Sequence, residues 1–186
     1  IEQLLRQAAR HHPARQFVGY QGAKNLDQAR QVVGAQAEAI FTALKQDAQV
    51  VYINSPLNLG AAAGQIMQRV RLPSLSLQTP GSANCIDGAV LFASLLELAS
   101  IDPLLVIVPG HAFVGWRIWD RVDQYDFLET TLIGSSDFAA AQQVGRQQYE
   151  EALMKGHFDR GLFDPAGFAR LIDVAACRAQ AIYPLE

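Results

Sequence analysis

Residues 84–99 read NCIDGAVLFASLLELA, a segment apolar almost all the way round. At 100° per residue its polar exceptions, Asp87, Ser94 and Glu97, fall near one narrow stripe. That pattern predicts a helix buried at the centre of a domain. Asn84 is a good N-cap, and Asp87 three residues on makes a capping-box-like pair. Ile86, Val90, Ala93 and Leu96 are expected on the buried face. Asp102-Pro103 closes the connection, and three strand-like runs follow: LLVIV (104–108), HAFVGWRIW (111–119) and YDFLETT (125–131). All three are rich in β-branched and aromatic residues. Gly110 and Asp120-Arg121 supply the breaks.

Upstream, residues 1–10 read as a short amphipathic helix broken near Pro13. A second helix is expected over about 25–46, with Val32, Val33, Ala37, Ile40, Phe41 and Leu44 along one face. A third covers about 60–69, and Pro73, Pro80 and Gly81 mark the loop before the central helix. Downstream, 135–155 and 165–180 read as helices. Cys177 lies in the apolar run LIDVAAC and is expected to be buried and inert. The order is helices (1–70), a core of one buried helix and a small antiparallel sheet (81–131), then more helices (135–186). This predicts a single α+β domain over 1–186.

Composition narrows the function classes. The 186 residues are 50% hydrophobic and 18% charged, with a net charge of −3. Half-apolar chains of this length bury roughly 70% of their unfolded surface and are not disordered. A mildly acidic balance gives no electrostatic footprint for nucleic acid or anionic membranes. No apolar run approaches the ~20 residues of a spanning helix. Two cysteines 92 residues apart, and four histidines none at ligand spacing from them, form neither a disulfide framework nor a zinc pattern. No cofactor or metal is expected. So few thiols lean towards a reducing compartment, the cytoplasm. The chain opens IEQLLRQAARHH, without an initiator Met or signal peptide, and is expected to be part of a larger polypeptide.

The chemistry-bearing residues cluster around the central helix. Cys85 falls on its first turn, where the helix dipole and unpaired amides favour thiolate over thiol and can hold an oxyanion. His111 opens the second strand run, and Glu129 lies near the end of the third. Taken singly, each is an ordinary structural residue. Taken together, they are the parts of a thiol triad: nucleophile, general base and acid, and the carboxylate that fixes the imidazole's tautomer. Asp87 sits close enough to oppose thiolate formation. Gln78, seven residues before Cys85, is a candidate side-chain donor to the oxyanion. Arg69 and Arg71, just before the loop, could hold a substrate carboxylate or simply be solvated.

The stretch SANCIDGAVLFASLLELASIDPLLVIVPGHAFVGW, with YDFLETT after it, resembles the core of the bacterial transglutaminase-like (papain-like) cysteine hydrolase superfamily. The resemblance spans about residues 81–131. It rests on a cysteine opening a long helix, a histidine leading a strand 26 residues later, and an acid followed two residues on by Thr131. Two positions depart from the family pattern: Ala83 stands where it usually has Gly, and Glu129 where it usually has Asp. The resemblance implies a cysteine hydrolase of amide bonds, acting on a peptide or a protein glutamine or isopeptide bond. Papain-like enzymes carry a Gln at nearly the offset of Gln78. Acyl transfer to an amine by the same triad, and a non-catalytic interaction module of a larger protein, are the alternatives.

Strand register tests this directly. Along the strand runs, His111 shares a face with Phe113 and Gly115, and Glu129 with Phe127 and Thr131. If the two strands pair, histidine and carboxylate meet only when paired positions sum to an even number, 240 or 242. An odd-length loop or a bulge is therefore expected around 120–123.

Overall fold

The computed structural model describes residues 1–54, 70–78, 81–120, 122–162 and 164–183. The helix expected at 60–69 lies outside them, as does Arg69. The chain begins with α1 (Glu2–Ala8), continued by one 3-10 turn, and α2 (Leu26–Gln46). Asn25 caps α2 by accepting from the Gln28 amide at 2.9 Å. Its apolar face, Val33, Ala37, Ile40, Phe41 and Leu44, is buried as its spacing demands, whereas Val32 lies at the margin. Gln36 on the same helix is fully buried. Its carboxamide accepts from the Val18 and Gly19 amides and donates to the Gly19 and Val32 carbonyls, which satisfies an otherwise costly group.

Two short parallel strands, β1 (Val51–Tyr52) and β2 (Ser82–Ala83), flank α3 (Pro73–Ser76) and lead into the central helix α4 (Cys85–Leu98). Then come β3 (Pro103–Val108), β4 (His111–Arg117), β5 (Tyr125–Leu128), α5 (Phe138–Met154), β6 (Arg170–Asp173) and α6 (Val174–Ala179). The main sheet is antiparallel, in the order β5-β4-β3-β6. The fold is thus α+β, a small antiparallel sheet with flanking helices. Among the described residues no helix is long and apolar enough to cross a membrane.

The main core lies between α4, α1 and α2 and the sheet face carrying Val114, Trp116 and Leu128. Phe92 stacks on Trp116 with ring centroids 6.3 Å apart. Leu96 and Ala93 are buried as expected, but Ile86 and Val90 are only half-buried. The helix is turned so that Ala89, Phe92 and Leu96, spaced by three and four residues, form its innermost line. An all-apolar helix does not reveal which of its faces meets the sheet. On the sheet's other face, Phe113 and Phe127 pack with Tyr149 and Phe158.

Two sequence expectations change here. Residues 165–180 are not one helix: 170–173 form β6 and add to β3, and Asp173 then caps the short α6 by accepting from the Ala176 amide. The unpaired edge of β3 offers these residues ladder hydrogen bonds that no local pattern encodes. Accordingly Cys177 is half-exposed rather than buried. The second change is at 129–131, expected as strand. There the chain leaves the sheet and enters a 3-10 turn, Thr130–Leu132, capped by Glu129.

Candidate active site

Cys85 is the first residue of α4. The Asn84 side chain accepts from the Asp87 amide at 2.9 Å, fixing the helix start. The Ile86 amide, which no helical carbonyl can reach, favours the charged form of the Cys85 sulfur. The Ala112 amide on β4 acts on the sulfur in the same direction, and the sheet register explains why it can. Val114, Trp116 and Ile118 direct their amides towards the β5 side, where Ile118 donates to Gln124. Ala112 has the same parity, but β5 stops at Leu128, before it reaches the position opposite. The departure of the chain at Glu129 thus leaves an amide on the edge of β4 for the thiol.

His111 starts β4 directly after the two-residue Pro109-Gly110 turn, with Gly110 at φ +73°. That left-handed conformation suits glycine. β4 and β5 pair with Val114 opposite Leu128 and Arg117 opposite Tyr125. Each pair sums to 242, one of the two even registers anticipated, and the connection over 119–123 is odd in length. His111 and Glu129 therefore meet on a diagonal. Their Nε2 and Oε2 atoms are 2.6 Å apart. The other carboxylate oxygen, Oε1, accepts from the Thr131 amide at 2.9 Å and from its hydroxyl at 2.7 Å. Glu129 is 2% exposed and has both oxygens engaged.

Electrostatics follow from this chain of contacts. The hydrogen bond to His111 holds the Cys85 thiol below its ordinary value, against the opposing effect of burial. Burial by itself would push the His111 imidazole down. Its hydrogen bonds to Cys85 and Glu129, and their charges, outweigh this and raise it to about 9. For Glu129 burial would raise the carboxyl, but the bonds to His111 and Thr131 bring it below the usual range. Each shift favours the charged form. With Nε2 committed to Glu129, Nδ1 is the ring nitrogen left for the thiol.

The remaining sequence candidates fare differently. Gln78 is exposed in the turn after α3. Arg71 is engaged within the fold, with Asp87 and Ser82. Asp87 is not a reciprocal cap, because its carboxylate turns to Arg71 instead. No local signal links these two residues, which are 16 apart in sequence. Thr131 is part of the sequence motif, and its bonding to Glu129 through amide and hydroxyl gives it a physical task. None of the family models, curated proteins or solved structures compared with this chain matches it.

Proposed function

We propose that this chain is a transglutaminase-like cysteine hydrolase of amide bonds, with Cys85 as nucleophile, His111 as general base and acid, and Glu129 as the group that orients the imidazole. The observation that supports the reading is the bonded series Thr131–Glu129–His111, with links of 2.7 and 2.6 Å, whose imidazole acts on Cys85 at a helix N-terminus. A thiol, an imidazole and a buried carboxylate in that order have the arrangement that thiol catalysis needs.

The chemistry runs as follows. The Cys85 thiolate adds to the carbonyl carbon of a peptide, glutamine or isopeptide amide, and the carbonyl oxygen takes the negative charge. The Cys85 amide, at the start of α4, is the backbone donor to that oxyanion. His111, protonated at Nδ1, gives its proton to the nitrogen as the C–N bond breaks, so an amine leaves and a thioester remains on Cys85. Water then adds to the thioester while His111 takes its proton, and the acid is released with the thiolate restored. An amine in place of water gives acyl transfer by the same steps.

The test is incubation with a glutamine-containing peptide, with and without a primary amine, followed by mass spectrometry of peptide and protein. Acid quenching should reveal an acyl adduct on Cys85 that is absent from Cys85→Ala. Free acid without amine incorporation assigns hydrolysis, and amine incorporation assigns transfer. Across glutamine, isopeptide and unmodified peptide substrates, absence of both adduct and turnover would favour the interaction-module alternative.

A further inference from the structure

One buried charged group lies beside the candidate nucleophile without a part in the scheme above. Asp87, two residues after Cys85 on the first turn of α4, is 1% exposed. Arg71 takes up both of its oxygens: the Arg71 amide donates to Oδ1 and Nε donates to Oδ2, each at 2.8 Å. The same guanidinium donates through Nη2 to the Ser82 carbonyl at 2.7 Å and through Nη1 towards the Ser82 hydroxyl at 3.4 Å. Arg71 thus grips the chain on both sides of Cys85, at β2 before it and on α4 after it.

Taking the triad reading as its basis, we infer that Arg71 is a positioning residue for the Cys85 thiolate, cancelling the buried charge of Asp87 and fixing the turn that carries the sulfur. The charge count around the site makes the case. The charged groups on the first turn of α4 and on the segments packed against it are Asp87 from the helix itself, His111 from β4, Glu129 from the turn after β5, and Arg71, bonded to Asp87 from the segment before α3. Glu129 is matched by the imidazolium and Asp87 by Arg71. Without Arg71, two carboxylates and the thiolate would share one cationic partner in a poorly hydrated region, where like charges repel strongly. A carboxylate in the first turn suits the helix dipole but opposes a neighbouring anion, so the salt bridge reconciles the two demands. A purely structural strap needs no charge balance, and that separates the two roles.

The experiment follows alkylation of Cys85 by iodoacetamide against pH in a Cys177→Ser background, with melting curves for every variant. Arg71→Met should raise the midpoint of the profile by about one pH unit, slowing labelling about tenfold at pH values well below that midpoint. Asp87→Asn should lower the midpoint, because Arg71 then stands unopposed. The double variant Arg71→Met/Asp87→Asn should return to within a few tenths of a unit of the parent. If Arg71→Met does not fold, the downward shift of Asp87→Asn and the double variant carry the test. Midpoints unmoved in folded variants, or both single variants shifting the same way, would overturn the inference. His111→Ala serves as the separate control. A parent profile that it leaves unmoved refutes the triad itself, whereas one that it moves, beside an inert Arg71→Met, refutes only the role of Arg71.

Discussion

Helices α4 and α6 begin alike and end differently. Each follows a strand and is capped by an Asx side chain, Asn84 or Asp173, that accepts from the amide three residues on. Each carries a half-exposed cysteine, Cys85 as the first residue of α4 and Cys177 as the fourth of six in α6. Yet α4 runs for 14 residues with eight of them buried, while α6 has six and buries none. Across from Cys85 stand His111 and the buried Glu129. Beside Cys177 is Arg178, whose guanidinium is bonded to Glu97 at 2.7 and 3.0 Å. A capped helix that carries a cysteine therefore does not by itself bring an imidazole to the thiol. What distinguishes Cys85 is a rigid sheet that presents an imidazole and an extra amide to it.

The contrast can be broken most decisively at the sulfurs. Cys85→Ala should abolish acyl-adduct formation and reduce turnover by at least about 10³-fold, whereas Cys177→Ser should stay within about twofold in the same peptide assay. Comparable losses from both would erase the distinction. Packing gives the next largest difference. Leu96→Ala in the core face of α4 should cost about 2–5 kcal/mol in denaturant unfolding, and Ala175→Ser on exposed α6 less than about 0.5 kcal/mol.

The carboxylate tests the electrostatics. Glu129→Gln should lower kcat roughly 10–100-fold by releasing the imidazole's orientation. It also removes a charge that holds His111 at about 9. Because the imidazolium is the form that pairs with thiolate, the alkaline limb of the rate profile lies near that value in the parent. In the variant the limb should move to lower pH; a limb that stays in place would detach Glu129 from the proton chemistry. A smaller effect is expected in labelling. His111→Ala should slow iodoacetamide modification of Cys85 about tenfold near pH 6.5 while leaving Cys177 unchanged. Gln78→Ala should have the smallest effect. From its exposed position a change below about threefold is expected, and a larger drop in kcat at constant KM would give its carboxamide a full share of the oxyanion.

Much of the site could be read from the chain because its parts lie at the ends of strongly patterned elements. The apolar run after Asn84 fixes a buried helix with Cys85 on its first turn. Gly110 fixes the hairpin that makes His111 the first residue of a strand. Parity restricted the register to two even sums, and the odd connection over 119–123 delivers one of them, 242. What could not be read depends on partners distant in sequence. The pairing of β6 with β3 belongs to an edge that residues 170–173 reach from more than 60 residues away. The rotation of α4 that buries Ala89 and leaves Ile86 and Val90 at the margin is set by Trp116 and the sheet.

The sequence by itself determined the central helix, its cap, the order of the three sheet strands after it, and the identity of the thiol, imidazole and carboxylate. Periodicity, capping and turn chemistry are local, and they act over a few residues whatever the rest of the chain does. Only the tertiary structure decided that β5 ends early enough to leave the Ala112 amide for Cys85. It also decided that Glu129 leaves the sheet to be held by Thr131, and that Asp87 is matched by Arg71 rather than paired with its own cap. Each of these is a hydrogen bond or ion pair between groups enclosed by packing. A buried polar group takes whichever partner the assembled fold brings within reach, since leaving it unpaired costs more than any local preference.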